Sequence, residues 1–310
     1  MAKMKVVFMG SPDFAVDSLK AILDEGFEVA AVVTATDKLG GRGGKQVLMT
    51  DVKKFAVEHG LRLLQPEKLK SQAFLNELKE IHHDVQVVVA FRMLPEVVWS
   101  LPPKGTINVH ASLLPKYRGA APINWAIIQG EKETGVTVFK LQHEIDTGRI
   151  IRQAAIPIES NDNFGTLYNK LKQLGAQELI KALNEISTES AQYLPQSDEL
   201  ASHAPKIFHE TCEINFNQSC TQVHNFIRGL CPFPGAWFNF LGQEMKVITS
   251  SPQPEVHSLT PGEVRTDKKK FLQIATNDGF IELLRVKYEG KKEMDIGDFL
   301  NGFHWPPGER

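Results

Sequence analysis

The chain has 310 residues, 42% of them hydrophobic and 23% charged, with a formal charge of -2. This is the composition of a folded protein of about two domains, and it excludes disordered and fibrous classes. No apolar run reaches the ~20 residues of a membrane span, and neither half is basic: residues 208–310 carry 11 Lys and Arg against 13 Asp and Glu, so a nucleic-acid partner would have to meet a local patch.

The apolar run Met4–Met9 predicts a first strand, ending in Gly10-Ser11-Pro12. It is too short, and too soon followed by Asp13, for a signal peptide. Ser11 suits a helix N-cap and Pro12 a first helical position. A helical pattern follows through Val16, Leu19, Ile22 and Leu23, and then a β-branched run over 27–33. The Gly10-Ser11-Pro12 turn is either a tight structural turn or an anion-binding one, but it lacks the further glycines of a dinucleotide fingerprint.

Gly40-Gly41-Arg42-Gly43-Gly44-Lys45 comes next. It fails the P-loop pattern, because the earlier glycine position is Leu39 and Gln46 follows the lysine. Its glycines predict a mobile loop with a charged tip, read either as plain surface or as a ligand-facing edge. Further strands are expected at Leu61–Leu64, Val85–Ala90, Thr106–His110 and Val136–Leu141, with helices near 50–59, 71–80 and 120–129. The alternation predicts a parallel, doubly wound α/β sheet.

Within Thr106–His110, the two-residue period puts Asn108 and His110 on one face, ~6.6 Å apart along the strand. A polar pair at the end of a buried strand is costly without partners or a task. Asp146-Thr147-Gly148 is an Asx-type turn or a source of a carboxylate partner for a histidine. No second His or Cys stands at ligand spacing from His82, His83 or His143, so no metal is expected.

A long helix is expected over Asn163–Glu185, then a polar, Pro-broken linker, then a helix near 219–229 and short strands around 236–240, 244–249, 271–275 and 280–286. The last part reads as a small β-rich domain, expected to form a barrel. Cys212, Cys220 and Cys231 form no CxxC pair; they suggest a reducing, cytoplasmic compartment without disulfides.

The block Asn108-Val109-His110-Ala111-Ser112-Leu113-Leu114-Pro115-Lys116-Tyr117-Arg118-Gly119-Ala120-Ala121-Pro122-Ile123 resembles the signature of the formyltransferases that use 10-formyltetrahydrofolate, and Asp146-Thr147-Gly148 matches their aspartate motif. The resemblance covers nearly the whole chain. The Arg42 loop, Ala204-Pro205-Lys206-Ile207 and Ile227-Arg228-Gly229 with Pro232-Phe233-Pro234 are similar to the tRNA-using branch. Departures are Phe91-Arg92 where Tyr-Gly is frequent, residues 141–145 ahead of the aspartate, and Arg149 after Gly148.

The resemblance implies a Rossmann-like catalytic domain over 1–189, a linker over 190–207 and an OB-like β-barrel domain over 208–310. It implies formyl transfer from 10-formyltetrahydrofolate, a cosubstrate rather than a bound cofactor, to the α-amine of methionine on initiator tRNA. Asn108, His110 and Asp146 would be catalytic. Ser112, Leu113, Leu114, Pro115 and Phe91 would bind folate; Arg42, Gly41, Gly43, Lys45 and Arg228 would bind tRNA. The enzyme is expected to act as a monomer, without metal or membrane. A sugar-nucleotide formyltransferase, a deformylase with water as acceptor, and a non-catalytic binding module are the competing readings.

Overall fold

The computed structural model describes residues 4–40 and 46–306. Arg42, Gly41, Gly43 and Lys45 lie outside the described residues. The chain divides into two compact units that interleave along the sequence. The first comprises Met1–Gly119, Thr134–Ile156 and Tyr168–His203; the second comprises Ala120–Glu133, Pro157–Leu167 and Ala204–Arg310. The contiguous boundaries expected from the sequence therefore differ from the compact units.

The first unit is built on strands β1 (Lys5–Gly10), β2 (Glu28–Val33), β3 (Leu63–Leu64), β4 (Val85–Val89), β5 (Thr106–His110), β6 (Glu133–Lys140) and β7 (Arg149–Pro157). They line up in the order β7-β6-β5-β4-β1-β2-β3. β1 pairs parallel with β2 and β4, β2 with β3, and β4 with β5. β4 is buried at every position, as its valine-rich run requires of a strand covered on both faces; its one polar residue, Gln86, is hydrogen-bonded to His83 and Thr106. Chain order reverses between β1 and β4, so their carboxyl ends form the crevice where open α/β sheets bind ligands.

The sheet is not parallel throughout, whereas the alternation of elements predicts that it is. β6 pairs antiparallel with β5, with His110 opposite Thr137 and Asn108 opposite Phe139. A buried apolar run has the same appearance in either direction, so strand polarity was not readable from its pattern. β7 was not anticipated; beyond Ile151 its residues alternate between partly exposed and exposed, leaving little apolar signal.

Helix α1 (Asp13–Asp24) begins one residue later than expected, with Pro12 at the N-cap and no side-chain cap. Ser11 Oγ is used elsewhere, within 3.3 Å of both Thr34 Oγ1 and the Ala35 amide. The Phe14 amide instead donates to Tyr168 Oη at 2.8 Å, and a Cβ on Gly10 would stand 2.7 Å from Ala15 Cβ. The turn is thus held by these hydrogen bonds and by close packing. Val7, Met9, Ala31, Val33, Val88 and Leu94 share one core on one side of the sheet, with Phe74 and Leu78. Helix α2 (Phe164–Ser187) brings Gly175 within contact of Val109, where an added Cβ would be 3.0 Å from Val109 Cγ1.

The second unit carries strands β8 (Ala236–Phe240), β9 (Gln243–Pro254), β10 (Val264–Thr266), β11 (Leu272–Ala275), β12 (Gly279–Tyr288) and β13 (Met294–Asp295). They form an antiparallel sheet in the order β8-β9-β12-β11-β10, with β13 on β12. This is a domain of antiparallel sheet; its ladders do not by themselves close into the expected OB-like barrel. Its core joins Val223, Ile227 and Leu230 of helix α3 (Cys220–Leu230) to Phe238, Met245, Val247, Ile281 and Phe299. Ser219 caps that helix through a reciprocal pair with Gln222. The three cysteines are free and buried, and burial pushes their thiols upward in pKa.

The stretch expected as a linker is held along much of its length within the first unit. Leu194 exchanges two backbone hydrogen bonds with Ile150, each 2.8 Å. Further along, Ser202 O accepts from the Arg118 amide, Ser202 Oγ accepts from the Tyr117 amide, and the Ser202 amide donates to Pro115 O. Its polarity reflects hydrogen bonding to a neighbour rather than freedom. Among the described residues, no helix is long and apolar enough to cross a membrane.

Candidate active site

β5 ends at His110, beside the crevice, and the strand period sets Asn108 on the same face. His110 is 7% exposed. Its Nε2 lies 2.9 Å from the Tyr117 carbonyl oxygen. A carbonyl only accepts, so Nε2 carries the proton, assigned from its partner, and Nδ1 is the unprotonated nitrogen of the neutral ring. That Nδ1 faces Asp146 Oδ2 at 3.7 Å. The side chains named from distant motifs are thereby brought together.

Asp146 is 8% exposed, and its Oδ2 accepts from the Gly119 amide at 2.9 Å. Its backbone is left-handed, φ 55°, a conformation that costs a non-glycine residue ~1–2 kcal/mol. Gly148 explains the turn's composition. An added Cβ there would sit 1.8 Å from the Lys140 carbonyl oxygen, so only glycine lets the turn lie against the end of β6. Thr147 Oγ1 donates to Glu144 O.

Asn108 Oδ1 is a buried atom without a hydrogen-bond partner in the protein. Such an orphan costs about 1–3 kcal/mol and marks a position that a bound donor would satisfy.

The expected folate residues divide into two kinds. Ser112 is fully buried and its hydroxyl donates to Lys116 O at 2.7 Å. Leu114, 3% exposed, packs with Phe139 and Ile150. These two shape the loop from inside; Leu113, Pro115 and Phe91 retain exposed surface. Thr137 Oγ1 ties the loop further, donating to Ser112 O at 2.7 Å and accepting from the Leu114 amide at 3.0 Å. Thr137 was missed in the sequence; its signal was its place on the next strand, opposite His110. Arg92 reaches the carbonyls of Pro66 and Glu67, and its guanidinium stands 5.6 Å from the Phe91 ring centre.

Arg228, expected at a tRNA surface, is half-buried in the second unit. Its Nε donates to Asn225 Oδ1 and its Nη1 to Asp162 O, both at 2.9 Å. Burial lowers its pKa. These internal bonds commit much of its guanidinium to holding this unit together. Among the described residues no group of three or more His, Cys, Asp or Glu is arranged to hold a metal.

Comparison with known proteins adds to this geometry. Residues 4–183 match the family described as formyl transferase, and residues 206–304 its C-terminal domain. A methionyl-tRNA formyltransferase of Bacteroides fragilis is 47% identical over 310 residues, spanning 97% of this chain and 95% of its own. That of Parabacteroides distasonis is 46% identical over 97% of this chain and 96% of its own. A sugar 3N-formyl transferase solved with dTDP and 5-N-formyl-THF superposes with a TM-score of 0.68 at 24% identity, over 94% of this chain and 100% of its own. An N-formyltransferase from Helicobacter canadensis, solved with folinic acid and dTDP-3-aminofucose, gives 0.68 at 22%, over 90% and 98%. Similarity at these two identities is similarity of fold.

Proposed function

The chain belongs to the formyl transferase family, and on that premise we propose that it moves the formyl group of 10-formyltetrahydrofolate to the α-amine of methionyl-tRNA. The observation that carries the reading is the pairing of His110 Nδ1 with Asp146 Oδ2 at 3.7 Å on the face that bears Asn108. It stands in a chain 47% identical, almost end to end, to a methionyl-tRNA formyltransferase.

Formyl transfer is acyl transfer with an amine as nucleophile, so no serine or cysteine nucleophile is required. The uncharged amine attacks the formyl carbon, the C–N bond forms, and the carbonyl electrons move to oxygen. The Asn108 amide N–H donates to that oxygen, an interaction typically worth ~3 kcal/mol in the transition state. His110 Nδ1 takes a proton from the attacking nitrogen, and Asp146 supports the imidazolium so formed. N10 of the folate leaves as the tetrahedral centre collapses and takes up a proton. Leu113, Pro115 and Phe91 supply apolar wall for the folate, and Arg42 with Lys45 contacts the acceptor end of the tRNA. The proposed setting is the cytoplasm, with the antiparallel C-terminal unit serving as an OB-like tRNA-contacting domain.

The test is turnover of 10-formyltetrahydrofolate with three acceptors: methionyl-tRNA, an amino-sugar nucleotide and water alone. The expected result is rapid formylation of methionyl-tRNA only. Preference for the amino sugar would replace this reading with that of the sugar formyltransferases whose fold it shares.

A further inference from the structure

We infer that Gln196 is a positioning residue for the Asp146 carboxylate, held in turn by Arg118; this rests on the formyl-transfer reading above. Gln196 Nε2 donates to two carbonyl oxygens at once, those of Asp146 at 2.9 Å and Gly148 at 2.8 Å. Its Oε1 accepts from Arg118 Nε at 3.1 Å and Nη2 at 2.8 Å. The orientation of the amide is settled by chemistry. Carbonyls only accept and a guanidinium only donates, so a flipped amide would lose all of these bonds.

The two carbonyls bracket the tight turn on which Asp146 adopts its left-handed backbone, φ 55°. A strained turn persists where its surroundings over-determine it. On one side Gly148 lies against the Lys140 carbonyl; on the other Gln196 holds the two peptide oxygens. Together they aim the Asp146 side chain at the Gly119 amide and at His110 Nδ1. Arg118 adjoins Gly119, so one short segment anchors both the Gln196 amide and the carboxylate that Gln196 positions.

Gln196 is not needed to keep its own segment in place. Leu194 on one side is bonded twice to Ile150, and Ser202 on the other is bonded to Pro115, Tyr117 and Arg118. Loss of the Gln196 side chain should therefore spare the fold and disturb the turn.

Two variants separate the roles. Gln196→Glu still accepts from Arg118 but has no N–H for the two carbonyls. Gln196→Met loses both sets. Each is assayed in the full chain for kcat, for KM toward methionyl-tRNA and folate, and for thermal midpoint. The same changes are made in an Asp146→Asn background. The expected result is a 10- to 100-fold fall in kcat for both, KM values within about threefold of wild type, and thermal midpoints within a few degrees. In the Asp146→Asn background neither variant should lower the residual rate by more than about twofold, because groups acting through one another are not additive.

Wild-type kcat in Gln196→Glu would overturn the inference. So would a fall confined to KM, or an equal further fall in the Asp146→Asn background. A large loss of thermal midpoint with kcat unchanged would also overturn it, as the mark of a purely structural amide. If the wild-type enzyme formylates another acceptor instead, the reading of the acceptor fails, and the same comparison on that acceptor still decides the role of Gln196.

Discussion

His110 Nδ1 lies 3.7 Å from Asp146 Oδ2, with its other ring nitrogen already held by the Tyr117 carbonyl. One ring nitrogen is engaged by the backbone and the other faces the carboxylate. Asp146→Ala and His110→Ala should each lower kcat by at least ~100-fold, the equivalent of ~3 kcal/mol of transition-state stabilisation. Circular dichroism should be unchanged. Wild-type turnover in either folded variant removes that residue from the mechanism.

Asn108 offers a stability test that runs opposite to activity. Its Oδ1 is buried and unpartnered, so the folded protein carries an unmet polar cost there. Asn108→Leu should abolish formyl transfer while leaving thermal stability equal to or above wild type, a trade of stability against function. A clear fall in thermal midpoint would show that the amide is structurally required.

Gly148→Ala tests the turn's steric origin. The added methyl meets the Lys140 carbonyl oxygen at 1.8 Å, which forces backbone movement costing ~1–3 kcal/mol or more. Since Asp146 rides on the same turn, kcat should fall together with the unfolding free energy in urea. A variant with both quantities intact would show that the turn moves at no cost.

His83 sets an acid limit on stability. Burial pulls its pKa from 6.5 down to about 4, and it is 6% exposed. Its neutral Nε2 accepts from Gln86 Nε2 at 2.9 Å. Between pH 6.5 and pH 4 the unfolded chain binds this proton and the folded one does not. The contribution is therefore complete above pH 6.5 and is lost as pH falls toward 4, by up to ~3 kcal/mol. Urea melts across this range should show a shallower loss in His83→Gln than in wild type. Parallel curves would exclude His83 as the source.

Arg42 is tested by kinetics alone. A guanidinium pairs with phosphate in a bidentate manner and stacks on bases, which a lysine does not reproduce. Arg42→Ala should cut kcat/KM for methionyl-tRNA at least tenfold, Arg42→Lys should restore it in part, and folate affinity should be unchanged. Loss of folate affinity instead would move Arg42 from the tRNA to the folate.

The sequence alone determined the valine-rich strands, such as Val85–Val89, because burial on both faces leaves a compositional trace. It also determined that Asn108 and His110 share a face, because the strand period is local. The Asp-Thr-Gly turn was visible because a glycine is needed where backbone approaches backbone. Only the tertiary structure decided that β6 runs antiparallel to β5, since hydrophobic burial carries no sense of direction. It decided, too, that Ser112 and Leu114 are buried and that the half-buried Arg228 bonds to Asn225 and Asp162. The same holds for Gln196, which reads as one more polar residue in a Pro-broken stretch and yet holds the turn of Asp146. Polar partnership is a property of pairs distant along the chain, and a hydrogen bond has its energy only when folding has brought both members together.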